Sequence, residues 1–270
     1  METWSGFARH RVVVDGVGIH TLVGGSGPPL LLLHGYPQSH VMWHRVEPKL
    51  AAHHTVVCPD MRGYGDSSKP KGLSDHSNYS KRVMAQDMVD VMRKLGHERF
   101  HLVGHDRGAR VGHRLARDHG LRVVRTFTAL DIAPTLAMYE ATNMAFARAY
   151  YHWFLMLQPS PLAEKMVAAV APHHILAGSG LNAKGLAAYD KRALAEYVRC
   201  FRDPKTIHAT CEDYRASAAS TSSTTAPTAA RSSPCRCRCC GASAAWWARS
   251  STAWPRGARS RATSPAARST

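Results

Sequence analysis

Residues 100–103 are a short apolar run that leads without a spacer into Gly104-His105-Asp106-Arg107-Gly108, and a helical pattern over 107–119 begins inside that motif. A strand buried on both faces that turns directly into a helix is the repeating unit of a parallel α/β sheet. Other segments follow the same pattern. Strand-like runs occur at 11–14, 19–23, 30–33, 55–58 and 123–130, and residues 80–95 place Val83, Met84, Met88, Val91, Met92 and Leu95 at three- and four-residue steps. This alternation predicts an α/β chain with a mostly parallel sheet. After Pro134 the strand signal stops, and 136–214 reads as helices rich in Met, Ala, Tyr and Trp, the pattern of a lid.

The 270 residues are enough for a large core. The longest clean apolar run, 28–33, is far short of a bilayer span, and the N-terminus has neither a basic nor an apolar leader region, so a cytoplasmic, non-membrane protein is expected. Seven cysteines without a disulfide spacing predict reduced thiols at Cys58, Cys200 and Cys211.

At residue 217 the vocabulary changes. Residues 217–270 contain no Leu, Ile, Val, Met, Phe, Tyr, His, Lys, Asp or Glu. So few aliphatic side chains cannot offset the entropy of ordering a chain, which predicts disorder. The eight arginines here supply half of the formal net charge of +16, and no basic motif marks a folded nucleic-acid surface, so nucleic acid is not an expected partner. Cys235, Cys237, Cys239 and Cys240 lack the paired C-x-x-C of a zinc site, and no metal is expected. A frame shift in a GC-rich gene explains the whole composition. With GC-rich codons chosen freely, the shifted text reads as a charged linker, a buried-strand pattern and a glycine turn. The expected organisation is therefore a core over 1–135, a helical lid over 136–216 and an aberrant tail over 217–270, with the last core strands missing.

The candidate chemistry lies at strand ends. Asp106 occupies the nucleophile position of a G-x-Nu-x-G elbow, the alternative being a plain helix-capping aspartate. A carboxylate there attacks carbon and forms an ester that water must hydrolyse. Arg107 and Arg110, in the first turn of the following helix, oppose each other and the helix dipole, so they call for an anion; guanidinium forks suit a carboxylate. Solvated surface arginines are the other reading. His34, Gly35 and Tyr36 end the run 30–33, where the Tyr36 and Arg107 N–H groups can form an oxyanion turn. Asp131 closes the run 123–130 and either orients a catalytic histidine or caps a turn before Pro134.

The stretches 34–37, 59–67 and 104–110 together resemble the α/β-hydrolase branch of epoxide hydrolases and haloalkane dehalogenases, and Arg107 with Arg110 is similar to the fluoroacetate dehalogenases. Tyr151-His152-Trp153 and Cys211-Glu212-Asp213-Tyr214-Arg215-Ala216 look like that family's lid segments. The resemblance spans roughly 7–216. It implies that Arg107 and Arg110 hold a haloacetate carboxylate while Asp106 displaces halide. His152, Trp153 and Tyr214 would bind the halide; read alone, these three are ordinary lid-core residues. A histidine paired with Asp131 would activate water to release glycolate. The implied partners are a small haloacid and water, with no cofactor, and a homodimer stays open. The family's histidine follows the last strands, whereas this chain has none after His208. The expectation is impaired turnover with ester formation retained, and an exposed apolar sheet edge that favours aggregation. An epoxide hydrolase and a non-catalytic remnant that binds small carboxylates are the competing expectations. The first lacks an obvious epoxide-polarising tyrosine pair.

Overall fold

The computed structural model describes residues 6–171, 185–222 and 236–240. Its sheet contains β1 (Phe7–Val14), β2 (Val17–Gly24), β3 (Pro29–Leu33), β4 (Thr55–Pro59), β5 (Phe100–His105), β6 (Val124–Leu130) and β7 (Arg236–Cys240), in the order β1-β2-β4-β3-β5-β6-β7. β1, β2 and β4 pair antiparallel, and every pairing from β4 through β7 is parallel. Successive residues of β3 face opposite sides of the sheet. Leu31 and Leu33 join the core beneath α2 (Lys81–Lys94) and α3 (Arg107–His119), while Leu30 and Leu32 pack with Trp43, Val56 and Cys58 on the other face. Ser80 starts α2, its Oγ accepting the Val83 N–H. The parallel order places β5 between β3 and β6, so the C-terminal ends of all three strands open on one rim.

Residues 59–67 form a structural knot beside that rim. Asp60 Oδ1 accepts the His40 N–H (2.7 Å) and the His40 ring Nδ1–H (2.8 Å), and Asp60 Oδ2 accepts the Asp66 N–H (2.9 Å). Burial would raise the Asp60 carboxyl, but His40 and these donors hold it well below its ordinary range.

The lid comprises α4 (Thr135–Glu140), α5 (Met144–Ala149), α6 (Tyr151–Met156), α7 (Leu162–Val170), α8 (Lys191–Phe201) and α9 (Pro204–Ser222). It shares one core with the sheet, because Trp153, Met156, Val167, Phe201 and Tyr214 lie in the same buried cluster as Leu31 and Phe127. Arg215 ties α7 to α9 through Nη1, which donates to Glu164 (2.8 Å) and Glu212 (2.8 Å).

The expectation of a disordered chain from residue 217 needs correction in two places. Helix α9 continues to Ser222, and β7 pairs in parallel with β6 from Thr126↔Arg236 to Leu130↔Cys240. Helix propagation into Ser217–Ser222 needs only one further backbone bond per residue, and ladder pairing on the open edge of β6 satisfies backbone groups whatever the side chains. The edge of β6 is therefore covered over those residues, while the remainder of the tail lies outside the described residues. Cys58, Cys200 and Cys211 are free thiols, as expected. Among the described residues no helix is long and apolar enough to cross a membrane.

Glu47, in α1 (Glu47–Ala51), is fully buried and neither carboxyl oxygen has a hydrogen-bond partner. Burial pushes its pKa from 4.5 up to about 8. The unfolded chain ionises at the lower value and the folded chain only at the higher one. Stability should therefore fall as pH rises from about 4.5 to about 8 and level off above. Glu47→Gln is expected to remove that slope, worth on the order of 4 kcal/mol at pH 8, as read by urea unfolding across pH.

Candidate active site

The elbow depends on two close approaches. A Cβ at Gly104 would lie 2.6 Å from Ala109 Cα, and one at Gly108 would lie 2.3 Å from His34 O and 2.5 Å from Leu33 O. Helix α3 thus packs backbone-to-backbone against β3 and β5, which drives Asp106 into φ 45°, a conformation L-residues rarely adopt. Gly108→Ala should cost more than about 3 kcal/mol in urea unfolding, because the obstructing atoms are strand backbone and cannot turn aside.

Asp106 Oδ2 accepts the Tyr36 N–H at 3.1 Å, so the turn after β3 holds one carboxylate oxygen. His34 fixes that turn from below. Its Nδ1–H donates to Gly35 O (3.0 Å) and its Nε2 accepts the Met61 N–H (3.0 Å), an arrangement that needs a neutral ring; burial indeed lowers its pKa. Gly35 leaves room for Asp106, since a Cβ there would be 2.8 Å from Asp106 Cβ and 2.9 Å from His105 Nδ1. Burial would raise the Asp106 carboxyl, but Arg110, His105, Arg107 and the Tyr36 N–H outweigh it and keep the pKa below the ordinary value.

Both arginines are buried, not solvated. Arg110 Nη1 donates to Ala133 O (2.7 Å) and Thr135 Oγ1 (3.2 Å), its guanidinium carbon lies 4.7 Å from the centre of the Trp153 ring, and its buried Nε has no partner. Arg107 differs from expectation, because much of its demand for an anion is met within the chain. Its Nε donates to Asp213 Oδ2 (2.9 Å), and its Nη2 donates to Asp213 O (2.8 Å) and Ser217 Oγ (2.9 Å) and lies 2.7 Å from Asp213 Oδ1. Only Nη1 is without a partner, and the group sits 4.0 Å over the Tyr214 ring. Lys81 Nζ and the Tyr64 hydroxyl (2.9 Å) also donate to the Asp213 carboxylate. Burial and Arg107 push Lys81 down to about 7, against the pull of Asp213. With Lys81 protonated, three cations face the carboxylates of Asp106 and Asp213, and one positive charge remains for a monoanionic ligand.

His152, Trp153 and Tyr214 gather above this group. The His152 ring stacks on Tyr36 at 6.0 Å, and Tyr214 meets Tyr36, His152 and Trp153 edge-on at 5.7, 6.2 and 6.1 Å. Burial lowers the His152 pKa to about 4, leaving a neutral ring that can offer one N–H. Burial raises the Tyr214 phenol despite Arg107, so it also remains a donor. Asp131 stands at the end of β6, exposed, with φ 52°. It adjoins the elbow, for the Asp106 N–H donates to Leu130 O (3.3 Å), but among the described residues no histidine hydrogen-bonds it. Sequence reasoning missed the Asp213, Lys81 and Tyr64 group; the only local signal was an aspartate directly before Tyr214 in a helix that otherwise reads as lid core.

A half-buried aspartate on a strand-to-helix elbow, one oxygen held by a backbone N–H, at the rim of a mostly parallel sheet covered by helices, fits a hydrolase architecture. Residues 28–197 match the family model for the alpha/beta hydrolase fold, and the chain belongs to that family. The chain is 52% identical to a fluoroacetate dehalogenase of Burkholderia sp. over 215 residues, covering 79% of this chain and 70% of that protein. It is 41% identical to a soluble epoxide hydrolase of Corynebacterium sp. over 128 residues, which span 47% of this chain and 43% of that one. Among solved structures, a candidate alpha/beta hydrolase from Nostoc sp. PCC 7120 aligns with a TM-score of 0.74 at 54% identity, covering 78% of this chain and 72% of its own. A candidate epoxide hydrolase from Pseudomonas aeruginosa aligns with a TM-score of 0.76 at 40% identity, covering 87% and 78%. By this resemblance the chain is a hydrolase of the carbon–halide class.

Proposed function

We propose that this chain carries the haloacetate-dehalogenating site of its lineage: hydrolytic dehalogenation of a haloacetate to glycolate through an ester on Asp106. The observation that carries the reading is the pair of buried guanidinium groups, Arg107 and Arg110, each with a buried nitrogen lacking a partner, beside the half-buried Asp106, whose carboxyl pKa they help to hold below its ordinary value. An epoxide brings no negative charge to satisfy them, whereas a haloacetate does. The substrate carboxylate binds between Arg107 and Arg110, which sets its α-carbon against the Asp106 carboxylate. One Asp106 oxygen attacks that carbon as the carbon–halogen bond breaks, and the halide leaves with the electron pair. His152, Trp153 and Tyr214 donate N–H and O–H groups to the departing charge. Water then attacks the ester carbonyl and loses a proton to a base; the ester C–O bond breaks, its oxygen takes that proton back as glycolate departs, and the Asp106 carboxyl loses the remaining water proton to solvent. The Tyr36 N–H stabilises the oxyanion of that second step.

Asp131 is the residue that would orient the base in that step. With no histidine after His208, the second step should be slow and the ester should accumulate. The test is the intact mass of the 270-residue chain after incubation with excess chloroacetate, with peptide mapping and a glycolate assay. A carboxymethyl adduct on Asp106 with little glycolate is the expected result. Steady glycolate without adduct would show that another group serves as base. Unmodified protein without glycolate would overturn the dehalogenase reading and leave a carboxylate-binding remnant.

A further inference from the structure

We propose that Asp213 is a positioning residue for the Arg107 guanidinium, so that carboxylate recognition beside Asp106 is set from the lid; this rests on the reading of Arg107 as a carboxylate clamp. Arg107 has no solvent exposure, and a guanidinium in that position has no intrinsic reason to keep one orientation. Asp213 supplies the reason. Its two carboxylate oxygens and its own carbonyl engage Nε and Nη2 at 2.7–2.9 Å, and Ser217, one turn further along α9, accepts from Nη2 at 2.9 Å while donating to Asp213 O at 2.8 Å. A fork held along one edge cannot rotate, so Nη1 is the edge left for a ligand.

Asp213 is itself fixed from the core. Tyr64, in the loop after β4, donates to Oδ2 at 2.9 Å, and Lys81, in the first turn of α2, donates to Oδ1. The chain of contacts therefore runs from the core loop and α2, through an aspartate of the lid helix α9, to the arginine next to Asp106. Without Lys81 the Asp213 carboxylate would cancel Arg107. With Lys81 present and protonated, the site keeps a surplus positive charge while the arginine stays oriented, which a substrate monoanion needs and a neutral substrate does not.

Two readouts test this. The first compares Asp106 alkylation by chloroacetate with that by chloroacetamide, which has the same reacting carbon and no charge for Arg107 to hold. Asp213→Asn should raise the half-saturating chloroacetate concentration about 30-fold and change the chloroacetamide rate less than twofold. Tyr64→Phe, which removes one neutral bond to Asp213 and no charge, should raise the same concentration about 5-fold; it keeps the proposal falsifiable if Asp213→Asn does not fold. Equal losses with both reagents would mean a merely structural role and would overturn the proposal. The second readout is the Arg107 Nε–H resonance. It should be slow to exchange in the parent chain and at least 10-fold faster in either variant. Unchanged exchange would overturn the positioning role. Absence of both Asp106 alkylation and glycolate in the parent chain would instead remove the dehalogenase reading, and the exchange measurement would still decide the role of Asp213.

Discussion

Asp106→Asn is expected to leave the chain folded and to abolish its alkylation by chloroacetate, with no added mass after conditions that fully modify the parent chain. Asparagine tolerates the φ of 45° at this position, and its side-chain oxygen can still accept the Tyr36 N–H that Asp106 Oδ2 accepts at 3.1 Å. What it loses is the ionised oxygen. In the parent chain Arg110, His105 and Arg107 keep that oxygen charged despite burial, so it is available across the whole neutral range. A neutral amide in the same place is a far weaker nucleophile, and a rate loss above about 10⁴-fold is expected, equivalent to more than about 5 kcal/mol in the barrier. A carboxymethyl group appearing on the variant at the parent rate would assign the nucleophile elsewhere.

Arg110→Met should produce the second largest effect, and in two measurements at once. Methionine can fill the space over Trp153 and removes both the charge and the unsatisfied Nε, so the fold should survive. Chloroacetate alkylation should fall about 100-fold, or about 2.7 kcal/mol, because one of the two guanidinium groups near Asp106 is gone. The pH profile should shift as well. Arg110 is the strongest of the influences that lower the Asp106 pKa, opposing a burial effect that raises it. Without Arg110 the folded-state pKa rises, so the acid limb of the alkylation rate should move to higher pH. A 100-fold loss with an unshifted acid limb would show that Arg110 acts on the substrate alone.

Much of the fold was legible because it is local. Alternating residues of β3 pack on opposite sides of the sheet, and the Met and Val spacing of α2 places one apolar face on it, as periodicity alone requires. The elbow was legible for the same reason, its five residues being consecutive. The tail was harder to read, since side-chain vocabulary says nothing about backbone pairing along the edge of β6. The reading of Arg107 and Arg110 as cations awaiting one external anion was half complete: Arg110 keeps a buried Nε without a partner, whereas Arg107 has already taken Asp213 on one edge.

The amino-acid sequence by itself determined the parallel α/β plan and the elbow that sets Asp106 at the end of β5 with Arg107 and Arg110 in the first turn of α3. All of these arise from residues within one strand, one turn or one helical period. Only the tertiary structure decided which atoms serve the site. The Tyr36 N–H reaches Asp106 across 70 positions, and Asp213 reaches Arg107 across 106. The first contact is set by the parallel pairing of β3 with β5 and the second by how α9 packs on the sheet rim. Neither the pairing nor the packing leaves a periodic trace along the chain.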